Sequence, residues 1–129
     1  MRYITPRKAA EGLGASHTGT QHHWWMTVSS VALAILTPLF LIVIATALQI
    51  PERADIQAYF NRPYPALIVA AFMTVGMLHF IRGTRIMIDD YFDGLARKAA
   101  LIFAAIFGWA VIATTLFALA RMLLVTAQL

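Results

Sequence analysis

Three stretches of this chain run without a charged side chain for long enough to matter: Trp24 to Leu48, Tyr64 to Ile81 and Ala99 to Ala120. A hydrocarbon core about 30 Å thick asks for roughly 20 apolar helical residues, each rising about 1.5 Å. Inside it the backbone finds no water, so every N–H and C=O must be satisfied within the protein, and runs of this length do so as helices. Composition agrees, since 60% of the 129 residues are hydrophobic and 12% charged, against roughly 45–50% and 25% in soluble domains. Too little polar chain remains for a separate soluble catalytic domain. The expected fold is an all-α membrane protein with three transmembrane helices, up-down-up, over residues 24–48, 64–88 and 99–121. A polar segment, 1–23, precedes this membrane domain, 24–129.

The first run is too long for the apolar stretch of a cleavable signal peptide and is read as a retained span, kinked at Pro38. Residues Gln49 to Pro63, with Pro51, Glu52, Arg53, Asp55 and Arg62, read as a polar connection. The second span continues through Arg82 and Arg85 to Ile88, before Asp89, Asp90 and Asp93; Gly94 then closes a short loop holding Arg97 and Lys98. Arg2, Arg7 and Lys8 share a side with Arg97 and Lys98, which predicts a cytoplasmic N-terminus for a multi-pass membrane protein. The basic residues flank apolar runs instead of forming a patch, so no nucleic-acid partner is expected. The absence of Cys excludes disulfides, thiolate-held iron–sulfur clusters and covalent c-type haem on this chain. No heptad pattern is evident.

An ionisable residue inside a span is expensive unless paired, and His79 is the histidine that falls within the expected spans. Eleven helical steps lead from it to Asp90, a rotation of about 1100°, which leaves both on one helix face and about 16 Å apart along the axis. Gly76 and Gly83 lie on the same stripe and would let a neighbouring helix or a flat cofactor approach closely. A neutral imidazole at that depth suits haem iron, with its other ring N–H bonded to protein. The alternative is a hydrogen bond across a helix interface. A second axial histidine would have to come from another subunit.

Arg82 and Arg85 lie inward of His79, where a cation can pair with haem propionates or snorkel to lipid phosphate. Tyr91 offers a phenolic O–H to a quinone carbonyl, although tyrosine is also common in the aromatic belt. Trp24 and Trp25, after His22 and His23, read as interfacial anchors, and Ser29 and Ser30 as helix-packing hydroxyls. Metal chelation by His17, His22 and His23 is a weak alternative with no completing carboxylate.

The string His79-Phe80-Ile81-Arg82-Gly83, continuing to Asp89-Asp90-Tyr91, resembles the H-x3-G-x6-D-Y signature of the hydrophobic membrane-anchor subunits of succinate dehydrogenase, respiratory complex II. The segment Gly14 to Trp24 is similar to the G-S/A-x-x-x-G-T-x-H-x-W lead-in of the bacterial branch. The resemblance implies a subunit and not an autonomous enzyme: an anchor that holds a flavoprotein and an iron–sulfur subunit on the membrane. It implies that His79 is one axial ligand of haem b, with the other from a companion cytochrome b556 subunit, and that Tyr91, with Asp90 nearby, binds ubiquinone. Arg82 stands at a variable position of the signature, so a propionate role for it is carried by charge and location alone.

Competing expectations differ in chemistry. A fumarate reductase anchor uses the same parts in reverse. A non-redox interaction or assembly protein would use His79 and the glycines only to pack helices. A transporter is disfavoured, because there are no paired half-helices and no carboxylate within the uncharged runs.

Overall fold

The computed structural model describes residues 5–7 and 19–126, with side chains to 124. Over the described residues 19–126 four helices follow in order: α1 (Gly19–Leu48), α2 (Arg53–Phe60), α3 (Pro63–Tyr91) and α4 (Gly94–Thr126). Helices α1, α3 and α4 are each long and apolar enough to cross a membrane. The expected spans are therefore present, with longer ends. α1 begins five residues before Trp24, so His22 and His23 lie within its first turns. It continues unbroken through Pro38. The helix α4 starts at Gly94, so Arg97 and Lys98 belong to a helix and not to the expected loop. The connection between α1 and α3 is likewise partly helical, since α2 occupies 53–60.

Local chemistry explains the breaks. α1 ends in tightened turns, Gln49 N–H to Thr46 C=O and Ile50 N–H to Ala47 C=O at 3.2 Å, just before Pro51. Pro63 opens α3 at its first position, where a missing N–H costs no helical bond. Between α3 and α4 the chain reverses at Gly94, whose φ of 57° lies in the left-handed region.

Antiparallel packing follows from the order of contacts. Along the α1–α3 seam Phe40 stacks on Phe72 with ring centroids 4.1 Å apart. Further along, Leu33 meets Gly76 and Met26 meets Gly83. A stripe of reduced exposure runs down α1 through His22, Met26, Ser29, Leu33, Leu36, Phe40, Val43 and Ala47, in alternating steps of four and three. That is heptad spacing, the seam of a left-handed helix pair. It was not evident as a sequence pattern because apolar residues surround the helix on every side, leaving size and small polar groups to mark the seam.

On its other side α3 packs against α4. A Cβ on Gly108 would stand 2.6 Å from Ile81 Cγ1 and Cδ1, so this glycine is where the two helices approach. Phe80 meets Phe107 edge-on at 6.0 Å, and Arg97 reaches Asp89 at 2.7 Å. The central helix α3 thus carries the contacts to both neighbours, which pack little on each other. The short α2 rests on α3 and α4, and its Tyr59 hydroxyl donates to Val43 C=O at 3.4 Å.

These contacts give two expectations for thermal unfolding of the detergent-solubilised protein. Gly108→Ala should destabilise by about 1–3 kcal/mol through overpacking, and Ile81→Ala should recover much of that loss. Gly94→Ala, whose Cβ would meet nothing within 4 Å, should cost only the backbone penalty of about 1 kcal/mol.

Candidate functional site

One unbroken helix carries every residue that the sequence singles out for the site. His79 lies within α3, twelve residues before its end at Tyr91, so His79, Arg82, Asp90 and Tyr91 share one rigid rod. The four are not gathered into one pocket. His79 is half-buried on the α1 seam, whereas Asp90 and Tyr91 are exposed at the helix end, Tyr91 at 81%.

The glycine stripe beside His79 is occupied by α1. Leu33 Cδ2 stands 3.7 Å from where a Gly76 Cβ would be, and Met26 Cε 3.6 Å from that of Gly83. Of the two uses expected for those glycines, the approach of a neighbouring helix is the one seen. Between them His79 Nδ1 lies 2.8 Å from Ser29 Oγ. Ser29 is 9% exposed, a buried polar side chain in an otherwise apolar core. Its Oγ also lies 2.8 Å from Trp25 C=O and 3.0 Å from Met26 C=O. A helix packed in lipid leaves polar atoms no outside partner, so a bond across the seam is what lets both side chains be there.

Arg82 sits one turn further toward the C-terminal end of α3, its Cζ 4.9 Å from the centroid of the Trp25 ring. Trp25, expected as an interfacial anchor, is thus also the platform for a cation, at a contact worth about 0.5–1 kcal/mol on an exposed surface. The two aspartates are told apart by their neighbours. Asp89 takes Arg97 Nε at 2.7 Å and Arg85 Nε at 3.9 Å. Asp90 has no ion pair among the described residues, which leaves its carboxylate available beside Tyr91. Arg85, open in the sequence to propionate pairing or to snorkelling, is exposed and lies within ion-pair distance of Asp89.

Two features escaped the sequence reading. As a sequence Ser29 reads as a helix-packing hydroxyl, with nothing to pair it with His79. His22 Nε2 is buried without a hydrogen-bond partner, on a segment expected to be a polar lead-in. The signal for Ser29 lay in depth: ten residues into α1, it matches His79, twelve from the end of α3. A start at Trp24 conceals that match. Among the described residues no group of three or more His, Cys, Asp or Glu side chains is arranged to hold a metal ion. His17, Arg2, Lys8 and the lead-in residues 14–18 lie outside the described residues.

Comparison with known proteins adds an independent line. Residues 1–119 match the family model described as succinate dehydrogenase/fumarate reductase transmembrane subunit. The chain is 69% identical over 122 residues, 95% of its length and 94% of the relative's, to the succinate dehydrogenase hydrophobic membrane anchor subunit of Paracoccus denitrificans. No solved structure matches it.

A double-mutant cycle with Trp25→Leu and Arg82→Gln, read by thermal unfolding in detergent, should return a coupling of about 0.5–1 kcal/mol. Additive single effects would show that the ring and the guanidinium do not interact.

Proposed function

This chain belongs to the family of succinate dehydrogenase/fumarate reductase transmembrane subunits, and on that premise we propose that it is the hydrophobic anchor of a succinate dehydrogenase, with His79 as an axial ligand of haem b and Tyr91 and Asp90 as ubiquinone-binding residues. The observation that carries the reading is the setting of His79, an imidazole half-buried within a span and held at Nδ1 by Ser29. An imidazole so held fits haem: a metal-bound histidine usually bonds protein through the nitrogen that does not bind the metal. A companion cytochrome b556 subunit would supply the other protein ligand to the haem. Haem b, when bound, supplies a one-electron redox centre within the membrane.

The remaining work is done by side chains of α3. The Tyr91 O–H donates to a quinone carbonyl, and the exposed Asp90 carboxylate beside it carries protons toward the quinone oxygens. Reduction of ubiquinone takes two electrons and two protons and yields ubiquinol. The electrons arrive from succinate through the flavoprotein and iron–sulfur subunits, docked on the face from which Asp90 and Tyr91 project. Arg82, above Trp25, supplies a positive charge about one turn from His79, where it compensates haem propionates. The N-terminus and the α3–α4 turn face the cytoplasm, following the basic residues of both segments, and the complex sits in the bacterial inner membrane.

The test is a reduced-minus-oxidised visible spectrum of the complex purified through a tag on this chain, with succinate as the only reductant. A b-type α-band is expected. His79→Ala should abolish it, and Tyr91→Phe should retain it while slowing quinone reduction at least tenfold. A band unchanged in His79→Ala would remove the ligand assignment. Unchanged turnover in Tyr91→Phe would remove the quinone assignment. A complex with no band under succinate or dithionite would return His79 to helix packing.

A further inference from the structure

The Ser29 hydroxyl has one proton and three close partners. Trp25 C=O at 2.8 Å and Met26 C=O at 3.0 Å are acceptors only. Were the proton directed at His79 Nδ1, the serine oxygen would face two carbonyl oxygens at hydrogen-bond distance with no hydrogen between them. The arrangement without that repulsion has Oγ–H donating to the carbonyls of its own helix and His79 Nδ1–H donating to Oγ at 2.8 Å. That proton placement fixes the tautomer: Nδ1 is protonated and Nε2 keeps its lone pair.

Other hydroxyls in the spans behave differently. Thr27, Ser30, Thr37, Thr46 and Thr114 donate to carbonyls of their own helix, at distances from 2.6 to 3.1 Å. Ser29 does this too, and it also receives a side chain from α3. It is buried at 9% exposure, and Ser30 beside it is exposed.

We infer that Ser29 is a positioning residue for His79: the relay from Nδ1–H through Oγ to the Trp25 carbonyl sets the ring's rotation and tautomer, so that Nε2 is presented as the iron-binding nitrogen. This rests on the haem reading of His79. A hydrogen bond from Nδ1–H also makes the imidazole a stronger donor to ferric iron, which lowers the haem potential.

The experiment compares Ser29→Ala, Ser29→Thr, Ser30→Ala and His79→Ala in the purified complex. It measures the haem-to-flavin ratio, the haem affinity and the haem midpoint potential by optical redox titration. Ser29→Ala is expected to weaken haem affinity about ten- to a hundredfold and to move the midpoint upward. Ser29→Thr, which keeps the hydroxyl, restores both, and Ser30→Ala changes neither. If Ser29→Ala does not assemble, Ser29→Cys takes its place, close in size but a poor acceptor, and the same upward shift is expected. Wild-type affinity and potential in Ser29→Ala or Ser29→Cys, with haem lost in His79→Ala, would overturn the role of Ser29 alone. Haem retained in His79→Ala would overturn the reading beneath it.

Discussion

Everything polar in a membrane interior has to find its partner inside the protein, and the bond between Ser29 and His79 is where this chain meets that demand. Lipid tails are as apolar as leucine, so burial of apolar surface gives helices little reason to associate; close packing and polar contacts decide which faces meet. The seam between α1 and α3 contains both. Gly76 and Gly83 admit Leu33 and Met26, and that approach brings a serine oxygen within reach of an imidazole. A methyl at either glycine would still meet Leu33 or Met26 at ordinary contact distance, so it is a larger side chain there that would part the groups whose polarity needs the contact.

The same constraint accounts for what the sequence made legible. Charge-free runs announce spans because a charge in lipid is costly, and all three spans are present. The shared rod of His79, Asp90 and Tyr91 follows from helical arithmetic and from the absence of a breaker between them. Helix ends were harder to read. Arg97 and Lys98 looked like loop residues, yet an interfacial helix tolerates them because Arg97 bonds Asp89 across the turn. The helix over 53–60 lies outside the apolar runs, where span-reading has nothing to count.

Site chemistry was legible one residue at a time and not in pairs. His79 could be singled out because it is an exception to its surroundings. Ser29 could not, since a serine in a membrane helix ordinarily bonds its own backbone, as Ser30 does. Asp89 and Asp90 were equivalent as letters; only the arrival of Arg97 and Arg85 at one of them distinguishes the two. Partner choice is a property of the fold, and in a chain whose helices lie side by side it depends on a register that no single span encodes.

The Ile81–Gly108 contact bears on how this structure moves. On α4 the residues one turn to either side of Gly108 are Ala104 and Ala105, and Val111 and Ile112. Each carries a Cβ, where Gly108 leaves only 2.6 Å to the Ile81 side chain. Sliding α4 past α3 by a turn would therefore drive a methyl or more into Ile81 before any new notch could receive it. That contact opposes a piston motion of one helix along the other. The Arg97–Asp89 bond beside the Gly94 turn and the Ile81–Gly108 contact further along the span key α3 and α4 to one register at two separate levels.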